Sequence, residues 1–163
     1  MSEGKIIKVG MADLKIAKAP DILTTLGLGS CVGIALYDSV NKIGGLAHIM
    51  LPDSTQIKNN SNVAKFADTA IEELIEQMVS CGARNTRLTA KIAGGAHMFE
   101  FKNMDDMMRI GTRNVNAVIE CLKVFRVPIV ASDTGSNYGR TVELHTETGV
   151  FVVKTIGHGV KEI

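Results

Sequence analysis

The chain has 163 residues, a formal net charge of +1, and 45% hydrophobic against 21% charged residues. That balance suits one folded domain that buries its own core. Near-neutral charge offers no field to hold a nucleic acid, and 4% aromatics with no Trp offer no base-stacking platform.

No apolar run is long enough to span a bilayer. Met1-Ser2-Glu3-Gly4-Lys5 lacks the charged start and apolar stretch of a signal peptide. The expectation is a cytoplasmic protein without membrane insertion, in which Cys31, Cys81 and Cys121 stay reduced.

Residues 5–9 (KIIKV) read as a first strand, and residues 21–26 as a second apolar run. Residues 32–37 (VGIALY) and 42–50 (KIGGLAHIM) read as two strands joined by the turn-forming residues 38–41. Residues 52–61 (PDSTQIKNNS) are polar and loop-like. Val63, Phe66, Ala67, Ala70, Ile71, Leu74, Ile75, Met78 and Val79 then recur at helical spacing. Asn60 or Ser61 is placed to cap that helix and Gly82 to end it.

Residues 87–93 read as a strand running into Gly94-Gly95-Ala96. A second helix is predicted over 112–126, burying Val115, Val118, Ile119, Leu122 and Phe125 and stopping before Pro128. Residues 127–132 read as a buried strand, and 141–145 with 150–156 as a terminal hairpin around Glu147-Thr148-Gly149. The fold class is mixed α/β (α+β): one layered domain over residues 1–163, with β-sheets and flanking helices.

The stretch LGLGSC, Leu26–Cys31, is the densest candidate for chemistry. It is not a P-loop, because no Lys-Ser or Lys-Thr follows at the required position. It is not a dinucleotide fingerprint either: the third glycine, Gly33, comes one residue late, and a strand rather than a helix follows. One reading is a glycine turn with a buried Cys beside it. The other is a nucleophile that requires a base.

His48 is the candidate base. A symmetric hairpin closed by Tyr37 and Lys42 pairs residues whose numbers sum to 79, which sets Cys31 opposite His48. A change of loop would break this register. The glycines would let a substrate approach the backbone, and N–H groups near Ser30 and Cys31 would hold an oxyanion, which makes Gly29 and Ser30 the candidate oxyanion and substrate-binding residues. Thr24, Thr25 and Ser30 all lie close enough in sequence to orient the imidazole, and spacing does not choose among them. The three cysteines and four histidines show no CxxC or HExxH pairing, so no metal is expected.

TTLGLGSCVGIALYD followed by GGLAHIMLPDS, then KFADTAIEELIEQM, KIAGGAHMF, IGTRNV and the Gly139-Arg140 pair, resembles the CheD family of chemoreceptor glutamine deamidases. The resemblance covers nearly the whole chain. It implies Cys31 as nucleophile, His48 as base, and Thr25 rather than Thr24 as the third member. It implies hydrolysis of receptor glutamines through a thioester without a cofactor, with a possible glutamyl methylesterase side activity. The implied partners are chemoreceptors as substrate and the phosphatase CheC as regulator. The implied fold is similar to the catalytic domain of cytotoxic necrotizing factor toxins. The chain departs from the family at Asp133-Thr134-Gly135-Ser136, where a second glycine is more usual. The competing function is a non-catalytic module that binds chemoreceptors or CheC.

Overall fold

The computed structural model describes residues 4–98 and 109–163. Phe99, the last residue of the KIAGGAHMF motif, and Met1-Ser2-Glu3 lie outside them.

The described chain runs β1 (Ile6–Lys8), β2 (Asp13–Lys18), β3 (Ile22–Leu28), β4 (Val32–Asp38), β5 (Ile43–Ile49), α1 (Ala67–Ser80), β6 (Thr89–Gly94) and α2 (Ile110–Val124). It continues through β7 (Ile129–Thr134), β8 (Arg140–His145), β9 (Phe151–Thr155) and β10 (Gly159–Glu162). Two five-stranded sheets result, ordered β1-β3-β8-β9-β10 and β2-β5-β4-β6-β7. The first sheet joins β1 and β3 to β8, β9 and β10, so strands from the two ends of the described chain meet in it. The expected α+β class holds.

Alternation along β4 and β5 builds two apolar layers. Val32, Ile34, Leu36, Ala47 and Ile49 pack against Ala70, Ile71, Leu74 and Met78 of α1 and Val118 and Leu122 of α2. The opposite face, with Cys31, Ala35 and Leu46, packs against Leu23, Leu28, Val142, Leu144 and Phe151 of the other sheet. The layers are therefore helices, sheet, sheet. Every residue of β4 and β5 is buried, because these strands are covered on both faces.

Several expectations are corrected. β2 was not anticipated, because DLKIAK has only a short alternating pattern; it forms by pairing antiparallel with β5. The terminal hairpin gains a third strand, β10, which pairs with β9. α1 begins at Ala67, after a separate 3-10 turn over Val63–Lys65 that Asn62 caps by accepting from the Ala64 N–H. Asn60 and Ser61 do not cap α1: Phe66 precedes its first turn with no side-chain bond. Val63 and Val79 are consequently exposed rather than part of the buried stripe. Gly82 does follow the end of α1 with a φ of 112°. β7 is an edge strand with Val130 exposed, not a buried one.

The segment that holds the candidate nucleophile is shaped by a bulge. Thr25 pairs with Val142 and Leu28 with Arg140, so β3 carries one extra residue between them. Gly27 accommodates it with a φ of 71°. Leu26 is thereby turned out to solvent and Leu28 returned to the core. Residues 29–31 then cross from one sheet to the other and enter β4.

Gly94 lies against that crossing. A Cβ there would collide with the backbone carbonyl of Cys31, and its φ of 112° disfavours any side chain. Gly94→Ala should lower folding stability by about 3 kcal/mol, because a backbone clash and an unfavourable φ act together. Urea unfolding of the two proteins measures this, and a loss below about 1 kcal/mol would refute the close approach.

Candidate active site

Cys31, His48 and Thr25 come from three different places: the crossing, β5 and β3. The expected hairpin register is off by two. Asp38 pairs with Ile43, the loop is 39–42, and paired numbers sum to 81, not 79. The cause is Asp38. Its carboxylate accepts from the N–H groups of Val40 and Asn41 and from the Asn41 amide, so the turn forms after it rather than at it. Lys42 closes the loop with a φ of 52°.

His48 therefore faces Gly33, and Cys31 lies one diagonal step away instead of directly opposite. A shift of two preserves the face, since side chains alternate with period two. His48 and Cys31 both point into the layer between the sheets, along with Leu46 and Ala35. Diagonal neighbours on such a ladder are about 7–8 Å apart, within reach of long side chains.

Thr25 and not Thr24 reaches this layer. Thr25 Oγ1 lies 2.7 Å from His48 Nδ1, whereas Thr24 Oγ1 donates to the Val142 carbonyl at 2.8 Å. Thr25 also donates to the Val9 carbonyl at 2.7 Å. A hydroxyl has one proton, and a carbonyl can only accept it. Thr25 must then accept from His48, which places the imidazole proton on Nδ1 and leaves the lone pair on Nε2. That Nε2 is buried and has no hydrogen-bond partner among the described residues. No hydrogen bond joins it to the sulfur in this conformation.

Asp13 stands opposite His48 on the other side, in β2. Its carboxylate is occupied by the N–H groups of Leu14 and Gly10, at 2.8 and 3.3 Å. The imidazole thus has a neutral hydroxyl as its orienting group rather than a carboxylate.

Burial sets the charge states. His48 is 0% exposed, Thr25 1% and Cys31 8%. Burial pulls the His48 imidazole below its ordinary 6.5. Burial pushes the Cys31 thiol above its ordinary 9.0, with its own backbone N–H acting in the opposite direction. Near neutral pH the resting pair is a thiol and an uncharged imidazole, not an ion pair.

The crossing is held by its carbonyls. Gly29 O accepts from Ala96 N–H at 2.8 Å, and Cys31 O from Gly95 N–H at 2.8 Å. Between them, Ser30 O accepts from Asn114 Nδ2 at 2.9 Å. In a trans peptide the N–H points opposite to the carbonyl. The Ser30 N–H accordingly points away from Ala96, and the Cys31 N–H away from Asn114. The Gly29 N–H is engaged with Gly27 O at 3.0 Å.

Asn114 was missed by the sequence reading. It is a lone polar residue in the Gly111, Val118, Leu122 stripe of α2, and that break in the pattern was the available signal. The other histidines lie apart from this constellation. His97 Nε2 is 2.8 Å from Thr112 Oγ1, and His158 stacks on Tyr138 with centroids 4.2 Å apart. Ser136, the last residue of Asp133-Thr134-Gly135-Ser136, adopts a φ of 59°.

No helix among the described residues is long and apolar enough to cross a membrane. A family model described as CheD chemotactic sensory transduction matches residues 50–155. The chain is 61% identical over 161 residues to the probable chemoreceptor glutamine deamidase CheD of Caldanaerobacter subterraneus subsp. tengcongensis, covering 99% of each. It is 56% identical to the protein of the same name from Lachnoclostridium phytofermentans, over 98% of this chain and 99% of that one. For the Syntrophomonas wolfei relative the identity is 58%, with the same coverage. With near-complete alignment at this identity, and with the family model matching most of its length, the chain belongs to the CheD family.

Proposed function

We propose that this chain hydrolyses the carboxamide of glutamine side chains on chemoreceptors, releasing ammonia and leaving glutamate. In this reading Cys31 is the nucleophile, His48 the base and Thr25 the group that orients it. The observation that carries it is the Thr25–His48 hydrogen bond, which leaves an unpartnered Nε2 lone pair on the face that also bears the thiol.

As the Cys31 sulfur attacks the carboxamide carbon, Nε2 takes the thiol proton. The oxygen gains negative charge, and the N–H groups of Ser30 and Cys31 are directed to receive it. The imidazolium returns its proton to the departing nitrogen, the C–N bond breaks and ammonia leaves. A water then adds to the thioester with Nε2 taking its proton; the C–S bond breaks, and glutamate and the thiol are restored. A neutral Thr25 suits this cycle, because an imidazolium without a carboxylate beside it readily gives its proton back.

The same route accepts a glutamyl methyl ester, so weak methylesterase activity belongs to the proposal. Its consequence for a receptor is a new negative charge on a helix surface, which repels neighbouring carboxylates. The family likeness further points to CheC as a regulatory partner, and to the cytoplasm as the compartment where receptor helices are reached.

Cys31→Ala should abolish deamidation. Mass spectrometry of a receptor fragment reads this as loss of the gain of about one dalton per converted glutamine. Retained conversion excludes the thioester route, and retained receptor binding alone would favour a capture module. Thr25→Val removes the acceptor while keeping the shape, and should lower kcat roughly 10- to 100-fold.

The pH dependence follows from the two buried groups. The active form is neutral thiol with neutral imidazole. Below pH 6.5, toward its lowered folded pKa, His48 takes up a proton and kcat/KM falls; above 9.0 Cys31 ionises. kcat/KM should be flat between these limits. Iodoacetamide labelling of Cys31 should keep rising with pH up to and beyond 9.0. A labelling plateau in the neutral range would reveal a preformed ion pair and contradict the charge states.

A further inference from the structure

Asn114 is fully buried on α2, and its one NH2 group makes two hydrogen bonds. One goes to Ser30 O at 2.9 Å, the carbonyl just before Cys31. The other goes to Met50 O at 3.0 Å, two residues after His48. The amide orientation is fixed by chemistry, because both partners are acceptors and the carbonyl end of the amide cannot replace the NH2.

The position of this clasp is informative. The β4–β5 ladder ends at the Val32–Ile49 pair. The next pair, by register, would be Cys31 with Met50, but Cys31 lies outside β4 and its carbonyl is bonded to Gly95 N–H. Beyond that pair no backbone hydrogen bond among the described residues joins the two strands directly. Asn114 bridges them at that point, from the helix layer, and so sets the separation between the residues flanking the thiol and the imidazole.

We propose that Asn114 is a positioning residue that holds the Cys31 crossing at a fixed distance from the His48 strand. This rests on the reading of Cys31 and His48 as nucleophile and base. A placement error on the ångström scale lowers a rate of this kind steeply, whereas substrate affinity depends on surfaces elsewhere. The effect of losing the clasp therefore belongs in kcat and not in KM. The pH profile should change as well, because residual turnover that no longer uses the imidazole loses the fall below pH 6.5 that His48 produces.

Asn114→Asp is the decisive variant. It keeps the shape of the side chain and removes both N–H donors. Deamidation of a receptor fragment should show kcat reduced roughly 10- to 100-fold with KM within threefold, and a flattened acid limb. Thermal unfolding and labelling of Cys31 after denaturation give the folded, intact fraction by which kcat is corrected. A corrected kcat within threefold of the parent overturns the inference, as does an unaltered acid limb. Should Asn114→Asp not fold, Asn114→Ser, which retains one donor, is read by the same criteria. Cys31→Ala is run alongside. Activity lost there but parental in Asn114→Asp overturns only the positioning role. Activity retained in Cys31→Ala overturns the nucleophile and this inference together.

Discussion

A single hydroxyl proton determines the chemistry available to this protein. Thr25 gives it to the Val9 carbonyl, so the hydroxyl oxygen can only accept from His48. The Val9 backbone is itself held against β3, since its N–H donates to Thr24 O at 2.8 Å. A bond between the two sheets thus fixes both the tautomer and the direction of the imidazole. Were the Thr25 proton directed elsewhere, Nε2 would carry the proton and could not act as a base.

The surroundings of that bond are apolar, and this governs how charge appears in the site. The Asp13 carboxylate is committed to backbone N–H groups rather than to the imidazole, and burial is the cause of the His48 shift. Burial then favours the neutral form of both His48 and Cys31. In the proposed mechanism charge arises only as the sulfur attacks, and the backbone of the crossing is where it would be received. Three successive carbonyls, of residues 29, 30 and 31, are tied to residues 96, 114 and 95. Their rigidity is what aims the adjoining N–H groups, and the glycine at position 94 permits the close approach on which it rests.

Much of this was legible in the chain because local physics fixes it. Short, nearly continuous apolar runs marked β4 and β5, and helical periodicity marked α1 and α2. The glycines of LGLGSC were recognisable as backbone devices rather than a phosphate cradle, for want of a following Lys and helix. The inter-strand arithmetic found the right face for His48 despite the wrong register, because an error of two leaves side-chain alternation unchanged. β2 and β10 were not legible: DLKIAK and GVKE carry little apolar signal and become strands only when a partner edge accepts them.

The sequence by itself determined the layer architecture through periodicity, and the family resemblance singled out Cys31, His48 and Thr25 as candidates. Only the tertiary structure set Thr25 Oγ1 at hydrogen-bond distance from His48 Nδ1, left the lone pair on Nε2 and brought Asn114 to the strand ends. Each of these depends on which groups meet across segments 16 to 84 residues apart. Hydrogen-bond partners at such separations are set by how the sheets and helices pack, and no local pattern encodes them.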